Sequence, residues 1–384
     1  MKAWMEVSEE RLAANYWVVA AAAGAETDVL AVVKANAYGH GAERCAVALA
    51  RAGARWFGVA DAQEGARVRR ALDAAAFAEA QILVMCGLMP EDVPVVVEHR
   101  LTPVVWTREQ VGWLSEAGIR VHVEMETGMG RQGVKQGEGL AFLLDVALLG
   151  SRKVDGVLTH FAAAEVADGA QTRTQRREFE LAVAQIRKRG WKLGWVHAGS
   201  SSTVDNVVEV QEWLANLAKS VGARAMVRAG IALYGYCQPI AGEGHSRIAA
   251  QLQPVMTWRT RVLDVRDVAA GETIGYNATF RAKTAMQVAL LPVGYSDGLR
   301  RELSGSDSSP GGWVMMGGRD GAKKKAAILG RVSMNLTTVD VTGMDVRVGD
   351  EVVLLGDGVT ADDHARIAGT IPYEILCGVR GEQM

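Results

Sequence analysis

The sequence predicts an α/β protein that folds as a (β/α)8 TIM barrel followed by a mostly β C-terminal domain. The first observation is the length, 384 residues, which suits two domains. The second is an alternation, repeated eight times before residue 240, of short apolar runs with longer segments of helical period. The third is a change after residue 240 to apolar stretches joined by Gly, Asp and Asn turns. We therefore place the barrel at residues 10–240 and the β domain at 241–384, to which an N-terminal strand in residues 1–9 returns.

The eight predicted barrel strands are continuously apolar, as parallel strands covered on both faces usually are. They are residues 29–33, 56–60, 82–86, 102–106, 120–125, 154–159, 194–197 and 225–227. Helical period is found between them at 44–51, 62–72, 137–149, 172–187 and 208–217. In the second domain strands are predicted at 4–7, 255–262, 286–291, 313–316, 327–332, 337–341 and 351–355, and a helix at 361–368. The Ser-, Gly- and Lys-rich segment 304–325 predicts an exposed hairpin or loop.

The composition excludes several classes of protein. A formal net charge of −2 argues against a nucleic-acid or anionic-membrane partner. The four cysteines are far apart, which predicts neither a disulfide framework nor a zinc module, and histidines such as His122 show no metal-ligand spacing. No run of 18 apolar residues is present, and the apolar run 17–25 follows glutamates where a signal peptide has basic residues. We therefore expect a cytoplasmic protein without a metal site.

Candidate catalytic residues follow the predicted barrel strands, because a barrel places its active site at the carboxyl ends of the strands. Lys34 follows the first strand, and a lysine desolvated there becomes a nucleophile that forms Schiff bases. The segment 199–202 and the amides of Gly230 and Ile231 follow strands seven and eight, where barrels often bind phosphate. Together with Arg228 near a ring nitrogen, these residues predict pyridoxal 5'-phosphate as the cofactor.

A series of motifs in chain order extends this prediction. It begins with Val33-Lys34-Ala35-Asn36-Ala37-Tyr38-Gly39-His40-Gly41 and continues with Thr127-Gly128-Met129, Arg131, Thr159-His160-Phe161-Ala162, Val227-Arg228, Gly230-Ile231 and Leu233-Tyr234-Gly235. In the second domain it includes Gly275-Tyr276, Gly294-Tyr295, Gly330-Arg331-Val332 with Met334, and Pro372-Tyr373-Glu374. The series covers nearly the whole chain and resembles the bacterial alanine racemase family.

The resemblance implies a mechanism with two bases. In this family the cofactor lysine, here Lys34, and a tyrosine, here Tyr276, exchange the α-proton on opposite faces of L- and D-alanine bound to pyridoxal phosphate. The tyrosine comes from the β domain of the other subunit, so the resemblance implies a homodimer with shared active sites. The family places His160 beside the tyrosine and Arg228 behind the histidine. It also implies an isomerase that supplies D-alanine for peptidoglycan, the polymer of the cell wall.

The resemblance assigns further residues to binding. Arg131 contacts the cofactor and orients the substrate carboxylate, with help from the backbone at Met334. The phosphate ligands are Tyr38, Ser201, Gly230, Ile231 and Tyr373. Tyr295 and Tyr373 narrow the entrance and favour a small side chain.

Four residues depart from the family pattern. Glu124 stands where a lysine, often carbamylated, is usual, and we expect its carboxylate to orient Arg131. Ser200 replaces an asparagine, Asn335 replaces an aspartate and Ser333 replaces a common cysteine. These departures affect the expected substrate range and turnover more than the reaction type.

Alternative functions are open to test. The segment 128–133 fits GxGxxG after a strand, which is the pattern of a dinucleotide-binding oxidoreductase, although no acidic residue follows at the expected place. A single-barrel protein that handles pyridoxal phosphate without turnover has no β domain and no counterpart of Tyr276. Decarboxylases of related architecture do not need the Gly275-Tyr276 motif. The nearest alternative is a broad-spectrum amino-acid racemase of the same fold.

Overall fold

The structure is a computed structural model, and it describes residues 2–114, 118–135, 137, 142, 154–166, 169–206, 208–242, 245–317 and 323–383. The chain forms two compact units. The barrel unit comprises Glu10–Ala37 and Ala42–Gln253, and the β unit comprises Met1–Glu9, Tyr38–Gly41 and Pro254–Met384. A short stretch that follows the first barrel strand therefore belongs to the β unit, which no periodicity in the sequence indicates.

The barrel unit is a closed ring of eight parallel strands, as predicted. The ring order is β5-β4-β3-β2-β10-β9-β8-β6, and β6 pairs with β5 to close it. The eight strands are buried on both faces over most of their lengths, which explains why they are continuously apolar in sequence. Their bounds are β2 Thr27–Val32, β3 Trp56–Val59, β4 Gln81–Val84, β5 Thr102–Val105, β6 Val121–Glu126, β8 Val154–Leu158, β9 Trp195–His197 and β10 Arg224–Ala229, and a two-residue strand, β7 Val134–Lys135, pairs with β6.

Helices connect successive barrel strands and follow the predicted periods. The helix Ala62–Ala74, α3, for example, begins after Asp61, whose carboxylate accepts a hydrogen bond from the Glu64 N–H at 2.8 Å and caps the helix. The helices are α1 Glu9–Ala23, α2 Ala42–Arg51, α3 Ala62–Ala74, α4 Val93–Glu98, α5 Arg108–Trp113, α6 Ala170–Lys188, α7 Ser201–Asn206 and α8 Val208–Lys219. The helix predicted at 137–149 lies almost wholly outside the described residues.

The β unit is built on a nine-stranded sheet of order β12-β15-β18-β17-β16-β19-β11-β1-β20. The N-terminal strand β1 returns to it as predicted and pairs antiparallel with β11 and parallel with β20. One core cluster of this unit contains Val268, Ile274 and Val288, and a second contains Met315 and Val353. The elements are β1 Ala3–Val7, β11 Met256–Arg261, β12 Asp264–Val268, β13 Thr273–Ile274, β14 Phe280–Arg281, β15 Met286–Leu291, β16 Trp313–Gly317, β17 Lys323–Leu329, β18 Thr337–Asp340, β19 Glu351–Leu355, β20 Glu382–Gln383, α9 Ala361–Ala368 and α10 Pro372–Gly378.

One strand of the β unit is displaced from its prediction. The strand expected at 327–332 is β17, Lys323–Leu329, and it ends where Gly330 takes a positive φ of 66°. Its first three residues are exposed lysines, and the Lys325 ammonium lies 4.2 Å from the Trp313 ring centroid. None of the helices that can be described in this chain is long and apolar enough to cross a membrane.

Candidate active site

Lys34 begins a left-handed turn directly after β2. The next residues, Ala35, Asn36 and Ala37, have φ values of 53°, 54° and 53°. Each non-glycine residue in this region costs about 1–2 kcal/mol, so the surrounding bonds must hold the turn. The Ala37 N–H donates to the Val33 carbonyl at 2.8 Å, and Lys34 itself is half-buried. The turn therefore fixes the direction in which the chain presents Lys34.

A buried carboxylate supports this turn. Glu64 of α3 is 3% exposed, and its two oxygens accept hydrogen bonds from the Asn36 N–H at 2.8 Å and the Ala60 N–H at 2.9 Å. The Asn36 side chain in turn accepts a hydrogen bond from the Ala42 N–H at 3.0 Å. Glu64 thus ties the turn after β2 to the end of β3. Sequence analysis did not identify it, because a glutamate in the first turn of a helix is usually exposed.

Arg228 is the centre of a buried hydrogen-bond network at the ends of β8, β9 and β10. Its guanidinium donates to the Thr159 carbonyl at 2.7 Å, to His160 Nδ1 at 3.0 Å and to His197 Nδ1 at 3.3 Å. A guanidinium only donates, so both imidazoles must accept through Nδ1 and carry their proton on Nε2. Arg228 therefore sets the tautomer of His160, and the two residues lie together as the sequence predicted.

The network continues into the barrel interior. His197 Nε2–H faces His122 Nδ1 at 2.9 Å, so His122 also carries its proton on Nε2. His122 Nε2 is buried with no hydrogen-bond partner in the described part of the chain, and the Trp56 ring lies beside it with centroids 5.4 Å apart. In the sequence His122 shows only that it lacks metal-ligand spacing, and nothing there indicates this connection to Arg228.

Burial and positive charge keep these imidazoles neutral. Burial, followed by the charges of Arg228, Arg131 and Lys34, lowers the pKa of His160 to about 3. Burial and Arg228 lower the pKa of His122 to about 3, and the pKa of His197 falls well below its usual range. The three histidines are therefore neutral hydrogen-bonding groups at neutral pH, and the charges that lower the pKa of His160 are all positive.

The residues after β9 and β10 form a cradle of donors. Ser201, the first residue of α7, accepts hydrogen bonds at Oγ from the Gly230 N–H at 3.0 Å and the Ala232 N–H at 3.2 Å. Ile231 begins a short 3-10 helix, so its N–H needs an acceptor from outside that helix. Because Ser201 Oγ accepts twice, its own proton is directed elsewhere. The Ser201 hydroxyl proton and the Ile231 N–H fit a phosphate group, whereas the Gly230 N–H already donates to Ser201 Oγ. The predicted residues Ser201, Gly230 and Ile231 do lie together.

Arg131 lies on an exposed loop that a single carboxylate organises. The two oxygens of Glu126 accept hydrogen bonds from four consecutive N–H groups, those of residues 128–131. Glu124 is 4% exposed, and its bonded partner is the Gln132 amide at 2.6 Å rather than the Arg131 guanidinium. Burial raises the pKa of Glu124, and the Gln132 bond and the charges of Arg228 and Arg131 oppose that rise.

The same loop decides against dinucleotide binding. A dinucleotide fingerprint requires its glycine-rich turn to open a helix. Residues 128–133 form a series of bends that runs into the short strand β7 instead. The oxidoreductase alternative therefore lacks its structural requirement.

The remaining predicted residues belong to the β unit. Tyr38 is buried against Tyr373 with ring centroids 5.8 Å apart, and burial followed by Tyr373 and Cys377 raises the pKa of its phenol. Tyr276 is 68% exposed and follows Gly275. Gly275 has a φ of 78°, and a Cβ added to it would lie 2.9 Å from the backbone nitrogen of Arg331. This close approach explains the glycine before the tyrosine.

Tyr295 and Met334 lie together in the β unit. The Tyr295 N–H donates to the Ser333 carbonyl at 3.0 Å, and the Ser296 hydroxyl donates to the Met334 carbonyl at 2.8 Å. Asn335 Nδ2 donates to Ser296 Oγ at 2.7 Å, so the residue that departs from the family pattern supports the Met334 backbone. Both Tyr295 and Met334 are exposed.

Comparison with known proteins agrees with this arrangement. Residues 7–238 match the family model "Alanine racemase, N-terminal domain", and residues 255–383 match "Alanine racemase, C-terminal domain". The chain belongs to the alanine racemase family. The predicted family and the predicted enzyme class, a pyridoxal-phosphate-dependent isomerase, are thereby confirmed.

Relatives of this racemase family match over nearly the whole chain. The alanine racemases of Halothermothrix orenii and Syntrophobacter fumaroxidans are each 34% identical, and the matches cover 98% of this chain and 94% and 95% of those proteins. Among solved structures, the alanine racemase from Streptomyces lavendulae is 29% identical with a TM-score of 0.85, covering 100% of this chain and 97% of that chain. The Bartonella henselae alanine racemase with covalently bound pyridoxal phosphate is 25% identical with a TM-score of 0.80, covering 100% and 99%.

Proposed function

We propose that the protein interconverts L-alanine and D-alanine with pyridoxal 5'-phosphate, and that Lys34 and Tyr276 are its two bases. The observation that carries the proposal is the contact between Arg228 and His160 Nδ1 at 3.0 Å. It leaves the His160 Nε2–H free to donate to an acceptor outside the Arg228 network. Family membership supplies the reaction to which such a donor belongs.

The residues present fit the cofactor. The Ser201 hydroxyl and the Ile231 N–H provide donors for its phosphate. Gly230, whose N–H also donates to Ser201 Oγ, Tyr38 and Tyr373 are the further ligands that we assign to that phosphate. Arg228 would meet the ring nitrogen as a donor and a cation, and its charge disfavours a protonated ring. When bound, pyridoxal phosphate supplies the electron-withdrawing group that makes the α-proton of an amino acid acidic. Lys34 provides the amine that attaches it to the protein.

Racemisation then requires proton transfer on both faces of the α-carbon. Once the substrate amine has replaced it on the cofactor, the freed Lys34 amine would take or return the proton on one face. Tyr276 would act on the other face, where its phenolate takes the proton and its hydroxyl returns it. A free tyrosine has a pKa of about 10, so Tyr276 needs help to act as a base. A hydrogen bond from the His160 Nε2–H to the phenolate oxygen would favour the ionised form. Arg131 and the Met334 backbone orient the substrate carboxylate.

The second base would come from a partner subunit. Tyr276 is 68% exposed in the single chain, and Tyr295 and Met334 are exposed at 43% and 56%. Exposure of such large side chains is expected if a second copy completes the site. We therefore propose a homodimer in which each site takes Lys34 from one subunit and Tyr276 from the other.

The biological role follows from the substrate. A cytoplasmic alanine racemase supplies D-alanine for peptidoglycan, and we propose that role here. The alternative is a broad-spectrum amino-acid racemase of the same fold. Tyr295 and Tyr373, as residues that narrow the entrance, favour the smaller substrate.

The first test is racemisation of a panel of L-amino acids in deuterium oxide. We expect deuterium at the α-carbon of alanine, much slower reaction of larger amino acids, and loss of activity in Lys34→Ala and Tyr276→Phe. Tyr16→Phe, at a tyrosine outside the site, is the matched control. Full racemisation by Tyr276→Phe would exclude the two-base mechanism, and comparable rates for large amino acids would favour the alternative.

A mixing experiment tests the shared site. Lys34→Ala and Tyr276→Phe subunits are each inactive alone, but a mixed dimer contains one site with both native residues. Random exchange makes half of the dimers mixed, so about a quarter of the wild-type activity should return. No recovery after demonstrated subunit exchange would place both bases in one chain.

A further inference from the structure

Gln175 is a buried side chain to which neither the sequence motifs nor the proposed reaction assigns a role. It lies on α6 and is 0% exposed. Its Oε1 accepts a hydrogen bond from the Ala162 N–H at 2.8 Å. Its Nε2 donates to the His160 carbonyl at 2.8 Å and to Thr127 Oγ1 at 3.2 Å. One carboxamide therefore contacts both the loop after β6 and the segment after β8.

The direction of each hydrogen bond in this cluster can be deduced. Thr159 Oγ1 donates to the Met125 carbonyl at 3.0 Å, so it accepts from Thr127 Oγ1, 2.7 Å away. Thr127 has then used its only proton and must accept from Gln175 Nε2. The chain runs from Gln175 through Thr127 and Thr159 to a backbone carbonyl. A glutamate at position 175 has no proton with which to begin it.

The glycine of the loop is part of this arrangement. Gly128 has a φ of 133°, and a Cβ added there would lie 2.8 Å from Gln171 Nε2 and 3.3 Å from Gln175 Cγ. Gln171, one helical turn before Gln175, donates to the Gly128 carbonyl at 2.8 Å. Two glutamines on one face of α6 therefore approach the loop so closely that residue 128 must lack a side chain.

We propose that Gln175 is a positioning residue that couples the Arg131 loop to the His160 segment, so that one side chain sets the geometry of both. On the first side it acts through Thr127, four residues before Arg131. On the second side it bonds the backbone on either side of Phe161, next to the imidazole that contacts Arg228. The catalytic consequence rests on the proposed function, but the mechanical coupling does not.

Hydrogen exchange of the full-length protein tests the coupling directly. Gln175→Met removes the donor and the acceptor with little change in volume. We expect exchange to accelerate about tenfold in both segments, 127–131 and 160–163, because each loses a buried hydrogen bond. Gln171 contacts the loop after β6 but not the segment after β8, so Gln171→Met should accelerate exchange only in 127–131. Gln110→Met is the matched control for losing a buried glutamine, since Gln110 Oε1 also accepts a backbone N–H, from Trp106 at 2.8 Å. Acceleration in only one segment of Gln175→Met, or in neither, would overturn the proposal.

The pH profile tests the catalytic consequence. Loosening His160 should weaken its support of the Tyr276 phenolate, so the limb of the kcat profile that reports this base should move up by about half a pH unit or more in Gln175→Met. We expect kcat to fall about 10- to 100-fold with a smaller change in KM, and Gln110→Met to stay within about twofold of wild type. A loss of activity with an unmoved profile would reduce Gln175 to a purely structural role.

Two further outcomes separate the possible failures. If the wild-type protein does not racemise alanine, the proposed function fails, while the exchange data still decide the coupling. If Gln175→Met does not fold, Gln175→Asn takes its place, because its side chain is one methylene too short to reach both segments. Gln175→Glu should be more damaging than either, since it buries a charge opposite the His160 carbonyl.

Discussion

The pH dependence of stability should report the buried histidine network, and His122 is its most isolated member. The pKa of His122 is about 3 in the folded protein and 6.5 as a free side chain, and the unfolded chain therefore binds this proton more readily. The free energy of unfolding falls as the pH drops below about 6.5 and continues to fall until about 3. Between pH 7.5 and pH 5.5 this single histidine costs about 1.4 kcal/mol of stability.

Two substitutions separate this titration from packing. His122→Asn keeps an acceptor for His197 Nε2–H, whereas His122→Leu leaves that donor unpaired and should destabilise the protein by about 1–3 kcal/mol at pH 7.5. Neither new side chain titrates. At pH 5.5 the destabilisation of each variant relative to wild type should therefore shrink by about 1.4 kcal/mol.

Urea unfolding at a fixed protein concentration, at both pH values, measures this difference. His245→Asn, which removes an exposed histidine, is the control. If wild type and both His122 variants lose the same stability between pH 7.5 and pH 5.5, the reasoning is refuted, because His122 would then not be a buried neutral imidazole.

Three further substitutions test other parts of the site. Gly39→Ala places a Cβ 2.6 Å from the Leu376 carbonyl oxygen at a φ of 86°, whereas Gly24→Ala has nearly the same φ, 87°, with no atom within 4 Å. Urea unfolding should show a loss of about 1–2 kcal/mol for Gly24→Ala and a clearly larger one for Gly39→Ala; equal losses would mean that the carbonyl yields without cost. In Arg228→Lys a single ammonium cannot reach the three acceptors that the guanidinium bonds. We therefore expect urea unfolding to show about 3 kcal/mol of destabilisation, together with a large fall in kcat. A stable, fully active variant would contradict the assigned network. Glu126→Gln replaces one of the carboxylate oxygens that accept from four N–H groups by a donor. We expect faster hydrogen exchange at 128–131 and a loss of about 1 kcal/mol in the free energy of unfolding. Unchanged exchange would show that the loop does not depend on the carboxylate.

The barrel could be predicted because the same requirement, an apolar run for each buried parallel strand, recurs eight times along the sequence. Eight buried parallel strands require eight apolar runs, and each run is found within a few residues of its strand. The β unit was harder to predict where strands are exposed. β12, Asp264–Val268, buries only its last residue, so the sequence lacks the alternation that indicates a half-buried strand.

Site residues that act by chemistry were easier to predict than residues that act by position. Lys34 follows a buried strand and Arg228 lies near the end of one, where a charged side chain is costly unless it has a chemical role. Gln175 and Glu64 lie on helices, where a polar residue is usually solvated, and only the fold shows that they are buried and bonded. Their roles depend on contacts 48 and 28 residues away in sequence, which no local pattern encodes.

The left-handed turn after Lys34 also could not be predicted from the residues that form it. Alanine and tyrosine have no preference for positive φ, and only Asn36 is a residue type that tolerates it well. The turn forms because Glu64 and Ala42 bond it from outside. A strained conformation of this kind is held by contacts that exist only in the folded protein. The sequence motif could therefore be recognised, but its backbone conformation could not be predicted.

The position of β1 has a consequence for how the chain folds during synthesis. β1 pairs with residues 256–260 on one side and with residues 382–383 on the other. β1 leaves the ribosome well before these partners and must therefore wait for segments that lie more than 240 residues further along the chain. The barrel strands, by contrast, are all available once Ala229 has been added. We expect the barrel unit to fold first, while β1 stays unpaired and exposed to chaperones until the β sheet closes around it.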